Sequence, residues 1–222
     1  MASPTYTSAL IVGAGQGLSA SLTRLLRKEG LAVAIAARDT AKLAPLCTET
    51  GARAFACDAQ DEAQVQRLFA DIDREHGAPD VVIYNASART RGPFLQLVPA
   101  EVQRALQVTA FGAFLVAQQA VVRMMPKAHG VILFTGASAS VKGYAQSAPF
   151  AMGKFALRGA SPVNCRRMAS TSRTSSLTAG SAAPHAATTR TSQTRCLIPT
   201  RSRSPTSIFS ASHAAPGPGR SS

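Results

Sequence analysis

Five short apolar runs alternate with five segments of helical spacing over the first 159 residues, and this alternation constrains the chain more than any other feature. The runs are Ala9–Val12, Leu31–Ala36, Arg53–Cys57, Val81–Tyr84 and Val131–Phe134. Their near-continuous apolar character is that of strands buried on both faces. Between them, Leu18–Glu29 carries Leu18, Leu22, Leu25 and Leu26 at helical spacing, and Gly30 stops it. Thr40–Thr48 places Leu43, Leu46 and Cys47 on one side. Asp61–His76 sets Val65, Leu68, Phe69 and Ile72 on one face before Gly77. Ala100–Met125 predicts a long helix closed by Pro126, and Phe150–Arg158 begins another. Strand–helix alternation of this kind predicts an α/β fold: a doubly wound parallel sheet with helices on both faces, entered by right-handed crossovers. Ligands of such sheets sit beyond the carboxyl ends of the strands, so the chemistry is sought in the loop after each strand.

Composition divides the chain in two. The net charge is +13, but residues 160–222 hold eight arginines, no lysine and no acid. No apolar run reaches the roughly 18–20 residues a membrane helix needs. The start, Met-Ala-Ser-Pro-Thr-Tyr, lacks the basic and apolar regions of a secretory signal. Cys47, Cys57, Cys165 and Cys196 make no C-x-x-C pair or metal-ligand cluster, so they read as reduced thiols of a cytoplasmic protein, with no metal site expected.

The loop after the first run is Gly13-Ala14-Gly15-Gln16-Gly17-Leu18. Glycines let backbone approach a phosphate closely, and the helix that follows offers free N–H groups to an anion. Set between a strand and a helix, this is a candidate dinucleotide loop. After the second run stands Ala37-Arg38. An NAD site places an acid there for the ribose hydroxyl; Ala37 supplies none, and Arg38 can pair with a 2′-phosphate. NADP is therefore expected, NAD stays possible, and the alternative is a solvated surface arginine.

Together these loops resemble the short-chain dehydrogenase/reductase family, an NAD(P)-binding Rossmann-like fold, through about residue 159. The family's Gly-x-x-x-Gly-x-Gly loop corresponds to Gly13, Gly17 and Ser19, so the last glycine is absent. Its adenine-binding Asp resembles Asp58, and its Asn-Asn-Ala-Gly segment resembles Tyr84-Asn85-Ala86-Ser87. Arg38 is similar to the NADP-type members, whose basic residue inside the glycine loop is Gln16 here. The resemblance implies hydride transfer between nicotinamide and a carbonyl or alcohol. It also implies a Tyr acid/base, a Lys four residues later, a Ser thirteen residues earlier and an Asn on the long helix. The matching positions are Phe150, Lys154, Ala137 and Thr109, so only Lys154 keeps the usual side chain. Its implied roles are holding the nicotinamide ribose and lowering the tyrosine's pKa; the alternative is a solvated helix lysine. Phenylalanine has no proton to exchange. Ser138, one place from Ala137, is the remaining candidate for the serine's role. Tyr144 is a further donor only if its loop folds inward, and reads more simply as an exposed loop aromatic. Thr135-Gly136-Ala137 followed by Phe150-Ala151-Met152-Gly153-Lys154 resembles an atypical subgroup that carries Phe at the tyrosine position. Activity of this chain is expected to be impaired, and a non-catalytic NADP-binding remnant is the competing reading. A homo-oligomer through the helices at 100–125 and 150–159 is compatible with it.

In residues 160–222, Ser, Thr, Ala, Pro and Arg make up 47 of 63 positions. Such a segment cannot offset its ordering entropy, so a disordered tail is expected, with the fifth strand left as a bare edge. Three origins fit: an evolved tail, a nucleic-acid-binding arm helped by Thr200–Pro205, or out-of-frame reading of a GC-rich gene. The lack of aromatic interleaving argues against nucleic acid. Back-translation favours the third. A shifted frame of Thr171–Gly180 encodes a strand-like run ending in Asp-Gly-Gly. The same frame over Arg195–Ser221 encodes a helix-spaced segment resembling the subgroup's C-terminus. The other frame over Ala160–Met168 continues the helix begun at Phe150.

Overall fold

The computed structural model describes residues 6–160 and the backbone of two strands, Leu177–Thr178 and Ser192–Ile198. In chain order the elements are β1 (Ser8–Val12), α1 (Leu18–Lys28), β2 (Ala32–Ala37), α2 (Ala44–Thr50), β3 (Arg53–Ala56), α3 (Glu62–His76), β4 (Val81–Tyr84), α4 (Pro99–Leu106), α5 (Gly112–Lys127), β5 (Gly130–Thr135), α6 (Ala148–Ala160), β6 (Leu177–Thr178) and β7 (Ser192–Ile198). The sheet order is β3-β2-β1-β4-β5-β7-β6, and the first five strands are parallel. The chain leaves β1 toward β2 on one side and returns through β4 on the other. The β1–β4 seam is therefore the switch point where α/β sheets open a ligand crevice.

Alternation along each strand builds a core on either face of the sheet. Ala9, Ile11, Val33, Ile35, Val81 and Ile83 pack under α1 and α2, against Ala20, Leu43 and Leu46. Leu10, Val12, Val82, Tyr84 and Ile132 face α3 and α5, against Val65, Leu68, Phe69, Val116 and Met124. Each fully buried Leu, Ile or Phe side chain contributes about 1.5–3 kcal/mol of burial. A charge at Ile11, which is 0% exposed between two paired neighbours, would break the sheet at its centre.

Local signals set the boundaries. Asp61 caps α3 by accepting from the Gln64 N–H at 3.1 Å. Two starts differ from the spacing argument: α2 begins at Ala44 after a 3₁₀ turn over Ala41–Leu43, and α6 begins at Ala148. In both, a proline (Pro45, Pro149) sits in the first turn, where its missing N–H costs nothing. Pro99–Lys127 runs as one helical stretch of 29 residues, with a π turn at Gln107–Phe111 and Pro126 inside its last turn. By length and composition alone, with a mean hydropathy of 1.5 over its most apolar 18 residues, it is long and apolar enough to cross a membrane. Ala105, Thr109, Ala113, Leu115, Val116, Ala120 and Met124 are nonetheless buried in the fold, as in a core helix.

The edge of β5 also differs from expectation. β7 pairs antiparallel along it, from Gly130 opposite Ile198 to Thr135 opposite Gln193, and β6 pairs with β7. An unpaired row of N–H and C=O groups is a template for another strand, and the Cys196-Leu197-Ile198 run supplies one from the same chain. The parallel part of the sheet ends at β5, as expected. Apart from the backbone of β6 and β7, the tail from residue 161 lies outside the described residues, and so does the expectation of its disorder.

Candidate functional site

The loop after β1 is locked to the loop after β4. Gly13 takes φ +83°, and a Cβ there would lie 2.3 Å from the Ala86 nitrogen, so only glycine fits. The N–H groups of Gly13 and Ala14 both donate to the Ala36 carbonyl at 2.9 Å. Ser19, standing at the expected third glycine, is buried. Its hydroxyl donates to the Gly13 carbonyl at 3.1 Å and accepts from Asn85 Nδ2 at 2.7 Å. Asn85 Nδ2 also reaches the Gly13 carbonyl at 3.2 Å, and the Asn85 N–H donates to the Val12 carbonyl. Ser19 therefore replaces a missing glycine with a clamp between the two loops. Gly15 and Gly17 have open space where a side chain would be, and α1 begins with no side-chain cap and no acid in its first turn.

These loops bound a cleft of about 600 Å³. Gly13, Gly15, Gln16, Arg38, Asp58, Asn85 and Ala86 line it; Gly17 and Leu18 stand beside it without lining it. Asp58 accepts from the Gln60 backbone and side chain at 3.2 and 3.0 Å. Sequence reasoning missed Lys42, Cys57 and Arg104, which also line the cleft. Lys42 lies four residues beyond Arg38, in the 3₁₀ turn that follows the loop after β2. Asp39 accepts from the Ala41 N–H at 3.1 Å and pairs with Lys42 at 3.2 Å, so its carboxylate is engaged. Burial, helped by Asp58 and Asp61, pushes the Cys57 thiol up to about 11, leaving it neutral at ordinary pH.

Beyond the Ala88–Val108 end of the cleft lie the residues expected to do chemistry; neither Lys154 nor Ser138 lines the cleft itself. Lys154 is 3% exposed and donates to the Thr135 carbonyl at 2.6 Å. Burial, and then Arg89, pull its pKa down to about 8. Phe150 packs on Ala137, Ala139 and Ala151, with Lys154 Nζ 5.7 Å and Arg89 Cζ 4.7 Å from its ring centre. Thr109 sits in the π turn, accepts from the Ala88 N–H at 3.3 Å and packs against Gly153. The Tyr84 hydroxyl donates to the Val108 carbonyl and is kept protonated by its burial. Ser138 opens a 3₁₀ turn and is half-buried, while Ser140 Oγ is taken up by the Ala137 N–H. Tyr144 is exposed beside Lys142.

The family model for short chain dehydrogenases matches residues 7–195, beyond the residue 159 reached by motifs alone. Versicolorin reductase 1 of Aspergillus parasiticus is 30% identical over 155 residues, 67% of this chain and 59% of that protein. The chain thus spans about 59% of the length of that curated relative. A short-chain dehydrogenase from Rhodopseudomonas palustris superposes with a TM-score of 0.68 at 28% identity, covering 74% of this chain and 79% of that one. A variant of actinorhodin polyketide ketoreductase shares the fold at a TM-score of 0.71 and 24% identity, over 76% of this chain and 67% of that one. Sheet order, switch-point cleft and glycine loop agree with these matches, and the chain belongs to the short-chain dehydrogenase family.

Proposed function

We propose that the chain binds NADP(H) in the β1–β4 cleft, and that it is an oxidoreductase of small carbonyls or alcohols whose chemistry is impaired. One observation carries the cofactor preference: Arg38 and Lys42 both line the end of the cleft, where Ala37 offers no carboxylate and Asp39 is already paired. A 2′-phosphate would meet the Arg38 guanidinium there, with Lys42, paired to Asp39, beside it. The other features fit a dinucleotide. Gly15 leaves backbone open to a pyrophosphate, α1 presents an uncapped N-terminus, and Asp58 and Asn85 stand across the cleft. When bound, the nicotinamide nucleotide supplies the hydride. Lys154, with one N–H on the Thr135 carbonyl, keeps two donors for ribose hydroxyls.

Impairment rests on Phe150. It fills the proton donor's place with a ring that cannot donate, and Ala137 and Thr109 offer no replacement. The unaltered chain is expected to quench and shift NADPH fluorescence saturably, while oxidising NADPH no faster with small aldehydes and ketones than without them. Carbonyl-dependent oxidation would overturn the impairment. Failure to bind NADPH would overturn the whole reading. The non-catalytic remnant is the same reading carried to zero turnover. RNA retained by the isolated tail in a salt-dependent manner would instead revive the nucleic-acid reading.

The exposed Phe111, Phe114 and Val122 on the long helix and Met152 and Phe155 on α6 support self-association through these helices, which light scattering would show as a dimer or larger. A cytoplasmic location and an out-of-frame origin of the tail complete the reading. Cell fractionation checks the first, and the nucleotide sequence across codons 155–222 checks the second.

A further inference from the structure

Two residues of the long helical stretch, Arg104 and Val108, line the cleft. Four residues apart, they share one helix face and lie about 6 Å from each other along the axis. Gly112, four residues further on, marks where this face meets the sheet. A Cβ there would lie 2.7 Å from the Ala59 carbonyl oxygen and 2.6 Å from the Tyr84 hydroxyl oxygen, so only a residue without a side chain lets the helix come this close to the ends of β3 and β4. The Tyr84 hydroxyl on the Val108 carbonyl and the Ala88 N–H on the Thr109 hydroxyl fix the same turn. Ala59, which Gly112 touches, also lines the cleft, with Cys57 and Asp58 beside it. Gly112 is buried, Val108 half-buried and Arg104 exposed, so the face runs outward from the residues after β3 and Arg104 stands at the rim. Arg104 takes part in none of the ion pairs among the described residues. No aromatic side chain lines the cleft among those residues, and its only two guanidinium groups are Arg38 and Arg104.

With a 2′-phosphate on Arg38 and a pyrophosphate at Gly15, the base of the dinucleotide hangs from the ribose carbon next to the 2′ position. The lining left for it is Cys57, Asp58 and Ala59 after β3, and Val108 and Arg104 on the helix. Arg38 is then engaged with phosphate, and Arg104 is the one planar cation left to meet the face of a ring. We propose that the Arg104 guanidinium lies flat on the adenine of the cofactor and closes the base subsite from the solvent side. A guanidinium stacks on a base by packing its plane on the ring and by the attraction of its charge to the ring's π face. This placement rests on the reading of the cleft as an NADP site. It makes Arg104 indifferent to the 2′-phosphate: Arg38 serves NADPH alone, and Arg104 serves NADPH and NADH alike.

The test is fluorescence titration of the full chain and its Arg104 variants with NADPH and, separately, NADH, at about 0.15 M salt so that distant charges are screened. Arg104→Ala is expected to weaken both nucleotides by the same factor, about three- to tenfold. Its melting temperature should stay within about two degrees of the parent's, because the residue is exposed. Arg104→Tyr keeps a stacking plane without the charge and should hold both affinities within about twofold of the parent. Arg104→Lys keeps the charge without the plane and should lose nearly as much as Arg104→Ala. A loss confined to NADPH, or a Lys variant that binds like the parent while the Tyr variant does not, would assign Arg104 to a phosphate and overturn the stacking. Unchanged affinities in Arg104→Ala would overturn it too and leave the cofactor reading intact. If the parent binds neither nucleotide, the cofactor reading fails and the stacking falls with it.

Discussion

At the ends of β1, β2 and β4 the chain spends its polar groups on holding loops and leaves open the surface a ligand would use. Ser19, Asn85 and Gly13 satisfy one another, and Gly15, Arg38 and Asp58 face the cleft. At the ends of β5 and α6 the pattern reverses. Lys154 is turned onto a backbone carbonyl, Ser140 accepts from the Ala137 N–H, and the position that the family resemblance gives to the proton donor carries the phenyl ring of Phe150. One fold therefore separates binding from chemistry. On the proposed reading, the β1–β4 half needs only backbone geometry and a few charges, which do not depend on the side chains at Phe150, Ala137 and Thr109. Proton transfer needs one hydroxyl at one place, and a single change removes it.

The comparison breaks most severely at Gly13. Gly13→Ala puts a Cβ on Ala86 at a positive φ, so a loss of about 3 kcal/mol or more is expected in urea denaturation, with loss of NADPH binding. Gly15→Ala meets nothing within 4 Å and should keep stability within about 1 kcal/mol while still weakening NADPH, which separates scaffold from cradle. Arg38→Ala should cost roughly tenfold in NADPH affinity, about 1.4 kcal/mol, and leave NADH unchanged in fluorescence titrations.

A smaller effect comes from Lys154. Its pKa is about 8 in the folded chain and near 10.5 when unfolded. The unfolded chain therefore holds more protons between these values, and stability rises with pH across that window. From pH 8 to 9 the Lys154 contribution should be about 1 kcal/mol, offset in part by the Cys57 thiol as its unfolded form ionises near 9, and Lys154→Met should remove the Lys154 gain. Smallest, Ser19→Ala removes one acceptor from Asn85, which keeps the Gly13 carbonyl, so about 0.5–1 kcal/mol is expected in the same denaturation assay.

Much of the β1–β4 half was legible in the sequence because its signals are local. Strand, glycine turn and helix follow within twenty residues, and apolar periodicity places the rest. Gly13, Arg38, Asp58 and Asn85 needed only their positions after strands to be found on one cleft. Lys42 and Arg104 were missed because each belongs to a helical segment read for its apolar face. The clamp role of Ser19 was hidden because it depends on Asn85, sixty-six residues away. The stack of Arg89 on Phe150 joins a loop to the first turn of α6, with no shared sequence pattern. The strand at Ser192–Ile198 was overlooked because composition averaged over the tail masks seven residues able to pair with β5.

The most direct test is titration of the full chain with NADPH and, separately, NADH, read by nicotinamide fluorescence at neutral pH. The account predicts saturable binding of NADPH at least tenfold tighter than NADH, from a chain that does not turn over small carbonyls. No saturable NADPH binding, or equal affinity for the two, would contradict it.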